Sequence, residues 1–227
     1  MKPLRLFVTG TDTGVGKTRV AVGLCHAFAA QGRRVAAMKP VASGCTITPA
    51  GLRNADALAL QSAMTVRASY ADVNPYAFAA PIAPHLAAGD AGTVIEFDLL
   101  DRAFERLSLQ SDVLVVEGAG GWFVPLGPDR SFADLAAHWD LQPIVVVGLR
   151  LGCLNHALLT IEAIERRGLE VYGWVANSID PGFERAADNV ASLRSRIAAP
   201  CLAVLEHAPN VDDSALARQL SAGLVKP

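Results

Sequence analysis

FVTGTDTGVGKTRVAVGLCHAFA, residues 7–29, sets a β-branched run, a glycine-rich turn and a helical pattern in immediate succession. Backbone N–H groups in such a turn, together with the positive end of the helix that follows, form a site for phosphate oxygens. At its close, Gly14, Gly16, Lys17 and Thr18 supply the chemistry this geometry uses. Lys17 neutralises charge on the β- and γ-phosphates, and the Thr18 hydroxyl is placed to hold Mg²⁺. The strict G-x-x-x-x-G-K-[ST] spacing requires glycine at position 11, where this chain has Thr11, and Gly10 comes one residue early. The strand-turn-helix context nevertheless favours a phosphate loop over a simple helix-capping turn.

Working outward, the runs LRLFVTG (4–10), RVAAMKPV (34–41), DVLVVEG (112–118), PIVVVG (143–148), YGWVANS (172–178) and PCLAVL (200–205) are apolar on both faces, as buried parallel strands are. Between them, 17–31, 55–63, 97–108, 132–139, 154–167 and 183–197 have helical spacing and serve as crossovers. The expected fold is α/β, a mainly parallel sheet with helices on both faces, in one domain spanning 1–227. Two breaks interrupt the rhythm. The stretch 65–96 contains Pro75, Pro81 and Pro84, which remove backbone donors and bias the preceding residues away from helix, so an ordered loop or lid is expected. GAGGWFVPLGPD (118–129) reads as a glycine-rich loop after a buried strand, where open α/β sheets place ligands. Residues 206–227 carry little pattern beyond a final helix near 213–222.

Composition narrows the function. A hydrophobic fraction of 52% with 19% charged residues excludes disorder as the main state and suits a sheet covered on both faces. The net charge of −2 offers no basic field for nucleic acid. The N-terminal MKPLRLFVTG runs straight into the glycine turn without a cleavage site or a membrane-length apolar span, which points to a cytosolic protein with no membrane partner. Cys25, Cys45, Cys153 and Cys201 are far apart in sequence, so reduced thiols are expected. The five histidines have no metal-binding spacing.

TGTDTGVGKT, MKPVASG, LRNADALAL, NPYAFAAPIAPH, VVEGAGGWFVPL, VVGLRLGCLNHALLT and GWVANS, in this order over residues 4–178, together resemble the dethiobiotin synthetase family. The resemblance implies a P-loop-type nucleoside triphosphate hydrolase-like fold, related to nitrogenase iron protein and the partitioning ATPases. The implied reaction makes dethiobiotin from 7,8-diaminopelargonic acid, CO₂ and ATP. One amine traps CO₂ as a carbamate, ATP phosphorylates it to a mixed anhydride, and the second amine closes the ring. No protein nucleophile is required, so the residues act by positioning and charge neutralisation.

The same resemblance distributes roles. Lys39 and Lys17 are catalytic. Gly14, Val15, Gly16, Lys17, Thr18, Arg19, Asp56, Glu117, Gly118, Ala119 and Gly120 contact the nucleotide phosphates and metal, with Mg²⁺ held by Thr18, Asp56 and Glu117. Asn177 and Ser178, with Leu205, Glu206 and His207, lie near the base. Thr13 and Ser43 contact the substrate, and Gly152, Cys153, Leu154 and Asn155 receive its carboxylate from the neighbouring subunit of a homodimer. Read alone, Lys39 is a solvated strand-end lysine, Ser43 a turn serine, Asp56 a carboxylate complementing a helix dipole, Glu117 an acid at the edge of the core, and Asn177 a turn former. Trp122 is equally a packing residue or a ligand contact. Members of the family carry an isoleucine-proline-tryptophan segment where this chain has Leu205-Glu206-His207, which leaves base selectivity open. Lys17→Ala or Lys39→Ala is expected to abolish turnover, Lys39→Ala with the fold intact.

A second class of function on the same fold is a partitioning-type ATPase switch, whose loop reads K-G-G-x-G-K-[ST]; Asp12 stands at the place of its first lysine. A third, an ATP-dependent amidase, needs a glutamine-hydrolysing domain that this length does not hold.

Overall fold

A computed structural model of the chain describes residues 3–207 and 213–224. Met1, Lys2 and the tail stretches 208–212 and 225–227, which belong to the N-terminal run and the weakly patterned C-terminus read above, lie outside the described residues. β1 (Leu4–Gly10) leads through the glycine turn into α1 (Lys17–Ala30), then β2 (Val35–Met38), β3 (Val41–Ala42), β4 (Thr46–Thr48) and β5 (Gly51–Arg53). Next come α2 (Ala55–Ala63), α3 (Tyr70–Val73), β6 (Tyr76–Ala77), α4 (Pro84–Asp90) and α5 (Phe97–Gln110). The remainder alternates strictly: β7 (Val113–Gly121), α6 (Phe132–His138), β8 (Gln142–Leu149), α7 (Cys153–Glu165), β9 (Gly173–Ser178), α8 (Ala186–Arg194), β10 (Cys201–Leu205) and α9 (Asp213–Leu224).

Six strands form one sheet in the order β10-β9-β8-β1-β7-β2, and every pairing in it is parallel. Parallel neighbours need crossovers, and these carry helices to both faces. The period of two divides each strand's side chains between two cores. Phe7, Met38, Leu114, Val116, Val145, Val147 and Trp174 face the side covered by α5, α6, α7 and α8, where Leu100, Phe132, Ile161 and Val190 meet them. Leu6, Val8, Val35, Val113, Val115, Ile144 and Val146 face the other, packed by Val20 and Leu24 of α1, Leu60 of α2, and Leu216 and Leu220 of α9. The fold is the expected parallel α/β sheet.

Three local expectations are corrected, and one element is new. The run 34–41 is not one strand: β2 stops at Met38, because Pro40 has no N–H to continue the ladder, and β3 resumes at Val41 paired with β6 instead. The stretch 65–96 holds α3, β6 and α4. Pro84 starts α4, since a missing N–H is harmless at the first helical position. Gly118, Ala119, Gly120 and Gly121 remain within β7, so the glycine loop begins at Trp122. The hairpin of β4 and β5, with Thr46 opposite Arg53, was not foreseen, since three-residue strands give too short a period to read.

Cys25 lies in α1 with none of its surface exposed, and burial, reinforced by the charge of Glu117, pushes its thiol up to about 12. The thiolate is the nucleophile. Alkylation at pH 8 followed by mass spectrometry is therefore expected to leave Cys25 unlabelled in the native protein and to label it only after unfolding.

Candidate active site

Parallel strands end on one edge, and this edge gathers the chemistry. β1 opens into the loop 11–16, β2 ends just before Lys39, β7 carries Glu117 in register with Val8, and β9 brings Asn177 beside Gly148 of β8. A cavity of about 630 Å³ lies there. It brings together Thr13, Gly14, Gly16, Lys17, Thr18, Lys39, Ser43, Asp56, Glu117, Ala119 and Gly120 of the residues singled out by sequence.

The loop is built from the backbone outward. Gly16 caps α1 with a left-handed backbone, φ 93°, a conformation glycine adopts without steric cost. A Cβ placed there would sit 2.3 Å from Asn177 Nδ2. Asn177 braces this turn, donating from Nδ2 to the Val15 carbonyl at 2.8 Å and accepting at Oδ1 from Arg19 Nη1 at 3.0 Å. Gly16→Ala is accordingly expected to weaken ATP binding at least about tenfold, roughly 1.4 kcal/mol, and to lower the melting temperature; calorimetric titration and thermal denaturation check both.

The two lysines share the cavity with opposite electrostatic histories. Lys17 is 7% exposed, and its ammonium donates to the Asp12 carbonyl at 3.1 Å. Burial, and then the charge of Lys39, lower its pKa to about 8. Burial also opposes the charge on Lys39, but Glu117 and Asp56 outweigh it, so this ammonium is held above the ordinary lysine value. Its Nζ lies 2.5 Å from Glu117 Oε1, 3.3 Å from Asp56 Oδ2 and 3.0 Å from the Gly118 carbonyl.

Lys39 is thus no solvated strand-end lysine: its side chain is 5% exposed and that of Glu117 1%. The expectation that Lys39→Ala leaves the fold intact gives way, because truncation would leave a buried carboxylate without its cation. Thr18 Oγ1 donates to Glu117 Oε1 at 2.9 Å, whereas Glu117 Oε2 is buried without a hydrogen-bond partner. Asp56 is presented by the first turn of α2, whose cap is Asn54, accepting from Ala57 N–H at 3.1 Å.

Other residues singled out by sequence stand outside this cavity's lining. Val15 is buried in the core beneath the loop. Gly118 faces Phe7, whose Cζ would lie 2.9 Å from an added Cβ, so its small size serves packing against β1. Arg19 Nη1 also reaches the Glu206 carbonyl at 3.2 Å, and His207 Nδ1 lies 3.3 Å from the Ser178 carbonyl. These contacts set Arg19, Asn177, Ser178, Glu206 and His207 side by side at the ends of β9 and β10, with Leu205 buried beneath them. Gly152, Cys153, Leu154 and Asn155 form the start of α7 and are not among the residues lining the cavity. Arg150, just before them, pairs with the Asp12 carboxylate. Trp122 is 3% exposed and meets Phe7 edge to face, as a packing residue does.

The cavity wall also contains Ala42, Asn54, Val124 and the segment Pro81, Ile82, Ala83 and Pro84, none of which was assigned to the site from sequence. The proline spacing had marked 81–84 as an ordered loop, Val124 falls in the glycine-rich stretch 118–129 expected to meet ligands, and Ala42 falls in the MKPVASG motif; those were the available signals.

The chain is also similar to known proteins over most of its length. A family model described as an AAA domain matches residues 4–215. The ATP-dependent dethiobiotin synthetase BioD of Xanthomonas oryzae pv. oryzae (strain PXO99A) is 48% identical over 220 residues, covering 97% of this chain and 98% of that one. The protein of the same name from Pseudomonas aeruginosa (strain UCBPP-PA14) is 50% identical over 215 residues, covering 94% of each. Among solved structures, the MinD cell division protein of Aquifex aeolicus aligns with a TM-score of 0.56 at 18% identity, covering 96% of this chain and 86% of that one; this likeness concerns the fold alone. With about half of its residues shared along nearly its entire length, the chain belongs to the dethiobiotin synthetase family.

Proposed function

We propose that this single-domain chain carboxylates 7,8-diaminopelargonic acid with CO₂ and closes the ring to dethiobiotin, converting ATP to ADP and phosphate, as a cytoplasmic homodimer. The observation that carries the reading is one cavity in which Lys17, Thr18, Lys39, Asp56 and Glu117 converge at the C-terminal edge of a parallel sheet. Phosphoryl transfer to a carbamate asks the protein for charge and alignment, and these residues supply both.

The loop N–H groups and Lys17 bind the triphosphate. Lys39, between the loop and Ser43, holds the carbamate oxygens against the γ-phosphoryl group. Buried and fixed by Glu117 and Asp56, its ammonium stays charged as negative charge shifts from carbamate to phosphate. The donor set fits a magnesium ion. Glu117 offers an unpartnered buried oxygen with the Thr18 hydroxyl beside it, and Asp56 lines the same cavity. Magnesium needs few protein ligands when phosphate and water complete its shell. When bound by Thr18, Asp56 and Glu117, Mg²⁺ neutralises charge on the phosphate oxygens.

Asn177 keeps one amide hydrogen and one lone pair beyond those spent on Val15 and Arg19, and we assign these to the nucleotide base, with Ser178, Leu205, Glu206 and His207 around it. Gly152, Cys153, Leu154 and Asn155 are assigned to the carboxylate of the substrate bound by the neighbouring subunit, through the N–H groups that open α7.

The direct experiment incubates purified protein with the diamine, bicarbonate, Mg²⁺ and ATP, and measures dethiobiotin and ADP by mass spectrometry. Diamine-dependent formation of both is expected. ATP turnover indifferent to the diamine but stimulated by lipid or a protein partner would replace this reading with the switch.

A further inference from the structure

The segment 70–76 lines no part of the cavity, yet it encloses the backbone of Lys39. Lys39 N–H donates to the Val73 carbonyl at 2.7 Å, and Tyr76 N–H donates to the Pro40 carbonyl at 3.2 Å. Asn74, 3% exposed, donates from Nδ2 to the Lys39 carbonyl at 2.7 Å and to the Tyr76 carbonyl at 3.1 Å. Its Oδ1 accepts from the Tyr70 hydroxyl at 3.0 Å. The same hydroxyl oxygen accepts from Asn54 N–H at 2.8 Å, and Asn54 is the cap of the helix that carries Asp56. One phenol oxygen is therefore donor to the clamp on Lys39 and acceptor from the residue that starts α2.

We propose that Tyr70 and Asn74 are positioning residues that tie the backbone of Lys39 to the first turn of α2, so that the Lys39 ammonium and the Asp56 carboxylate hold a single spacing during phosphoryl transfer. This deepens the functional reading above and rests on it for the roles of Lys39 and Asp56. The need is physical. β2 ends at Met38, so Lys39 has left the ladder that would hold it, and Asp56 has a side chain 42% exposed at a helix start. Neither position is rigid by sheet hydrogen bonding alone. A buried amide that uses both donor hydrogens and accepts at its oxygen fixes a chain more sharply than packing does. The Arg53 guanidinium, 4.1 Å above the Tyr70 ring, holds the phenol in place.

The test uses Tyr70→Phe, which deletes one oxygen and keeps the ring under Arg53. Expected are a kcat lower by about 10- to 100-fold, as for other changes behind a reacting group, an unchanged KM for ATP, and faster hydrogen exchange at the Asn54 amide by NMR. Asn74→Asp, which keeps the acceptor for Tyr70 and loses the donor to Lys39, is expected to lower kcat similarly while the Asn54 amide stays protected. In an Asp56→Ala background, Tyr70→Phe should cost little more, because both act through one contact.

Full turnover in Tyr70→Phe, an unaltered Asn54 exchange rate, a silent Asp56→Ala, or an equal fractional loss in both backgrounds would each overturn the proposal. Failure of the functional reading looks different: the unmodified protein then forms no dethiobiotin at all, while the exchange rates still report on the clamp.

Discussion

Lys17→Ala is expected to lower dethiobiotin formation by about 10²–10³-fold, the cost of removing one preorganised charge from a reacting phosphate, while the melting temperature does not fall. The two halves of this expectation come from the same geometry. Lys17 is buried, its ammonium donates to the Asp12 carbonyl, and the charge of Lys39 works against its own. Its charge is a burden on the nucleotide-free fold and an asset only once phosphates arrive.

A pH experiment on the protein without nucleotide or divalent cation separates these effects. The folded pKa of about 8 lies below the ordinary lysine value, so between the two the unfolded chain binds more protons and stability contributed by this group rises with pH. Lys17→Ala should abolish that rise in urea-denaturation midpoints taken above pH 8. Wild-type turnover by the variant would remove the loop from the mechanism.

Lys39→Ala is expected to abolish turnover, and with a destabilisation of about 3–5 kcal/mol, the usual cost of leaving one member of a buried ion pair alone. Glu117 is the cause: its side chain is 1% exposed and its nearest cation is Lys39. The double variant Lys39→Met with Glu117→Gln removes both charges together and is expected to recover most of the lost stability, since no buried charge is then left without its partner. It should remain inactive. Chemical denaturation read beside product formation distinguishes the two variants, and an active Lys39→Met/Glu117→Gln protein would sink the assignment of Lys39 to the reaction.

Much of the architecture was legible because its signals are local. An apolar run of both-face character can be buried only between two helical layers, and six such runs separated by helical spacings specify a parallel sheet. The loop at 10–18 was readable for the same reason, since glycine, lysine and threonine act there through adjacent backbone. Segments governed by long-range partners were harder. Whether 34–41 was one strand depended on Pro40 and on β6, a two-residue strand 35 positions further along. The hairpin at 46–53 and the turn of helix at Pro84 gave no readable period.

The chain's own order of residues determined that this is a parallel α/β protein with a phosphate loop before its first helix, and its seven motif segments pointed to one reaction. Tertiary structure alone decided how the charges pair. Sequence separates Lys39 from Glu117 by 78 positions, and only the placement of β2 against β7 brings them to 2.5 Å. It likewise decided that Gly118 accommodates Phe7, and that Asn177 braces the loop through Val15 and Arg19. Desolvation and ion pairing depend on what surrounds a group in three dimensions, which is why the same lysine that reads as solvent-exposed in a string of letters is a buried cation in the folded enzyme.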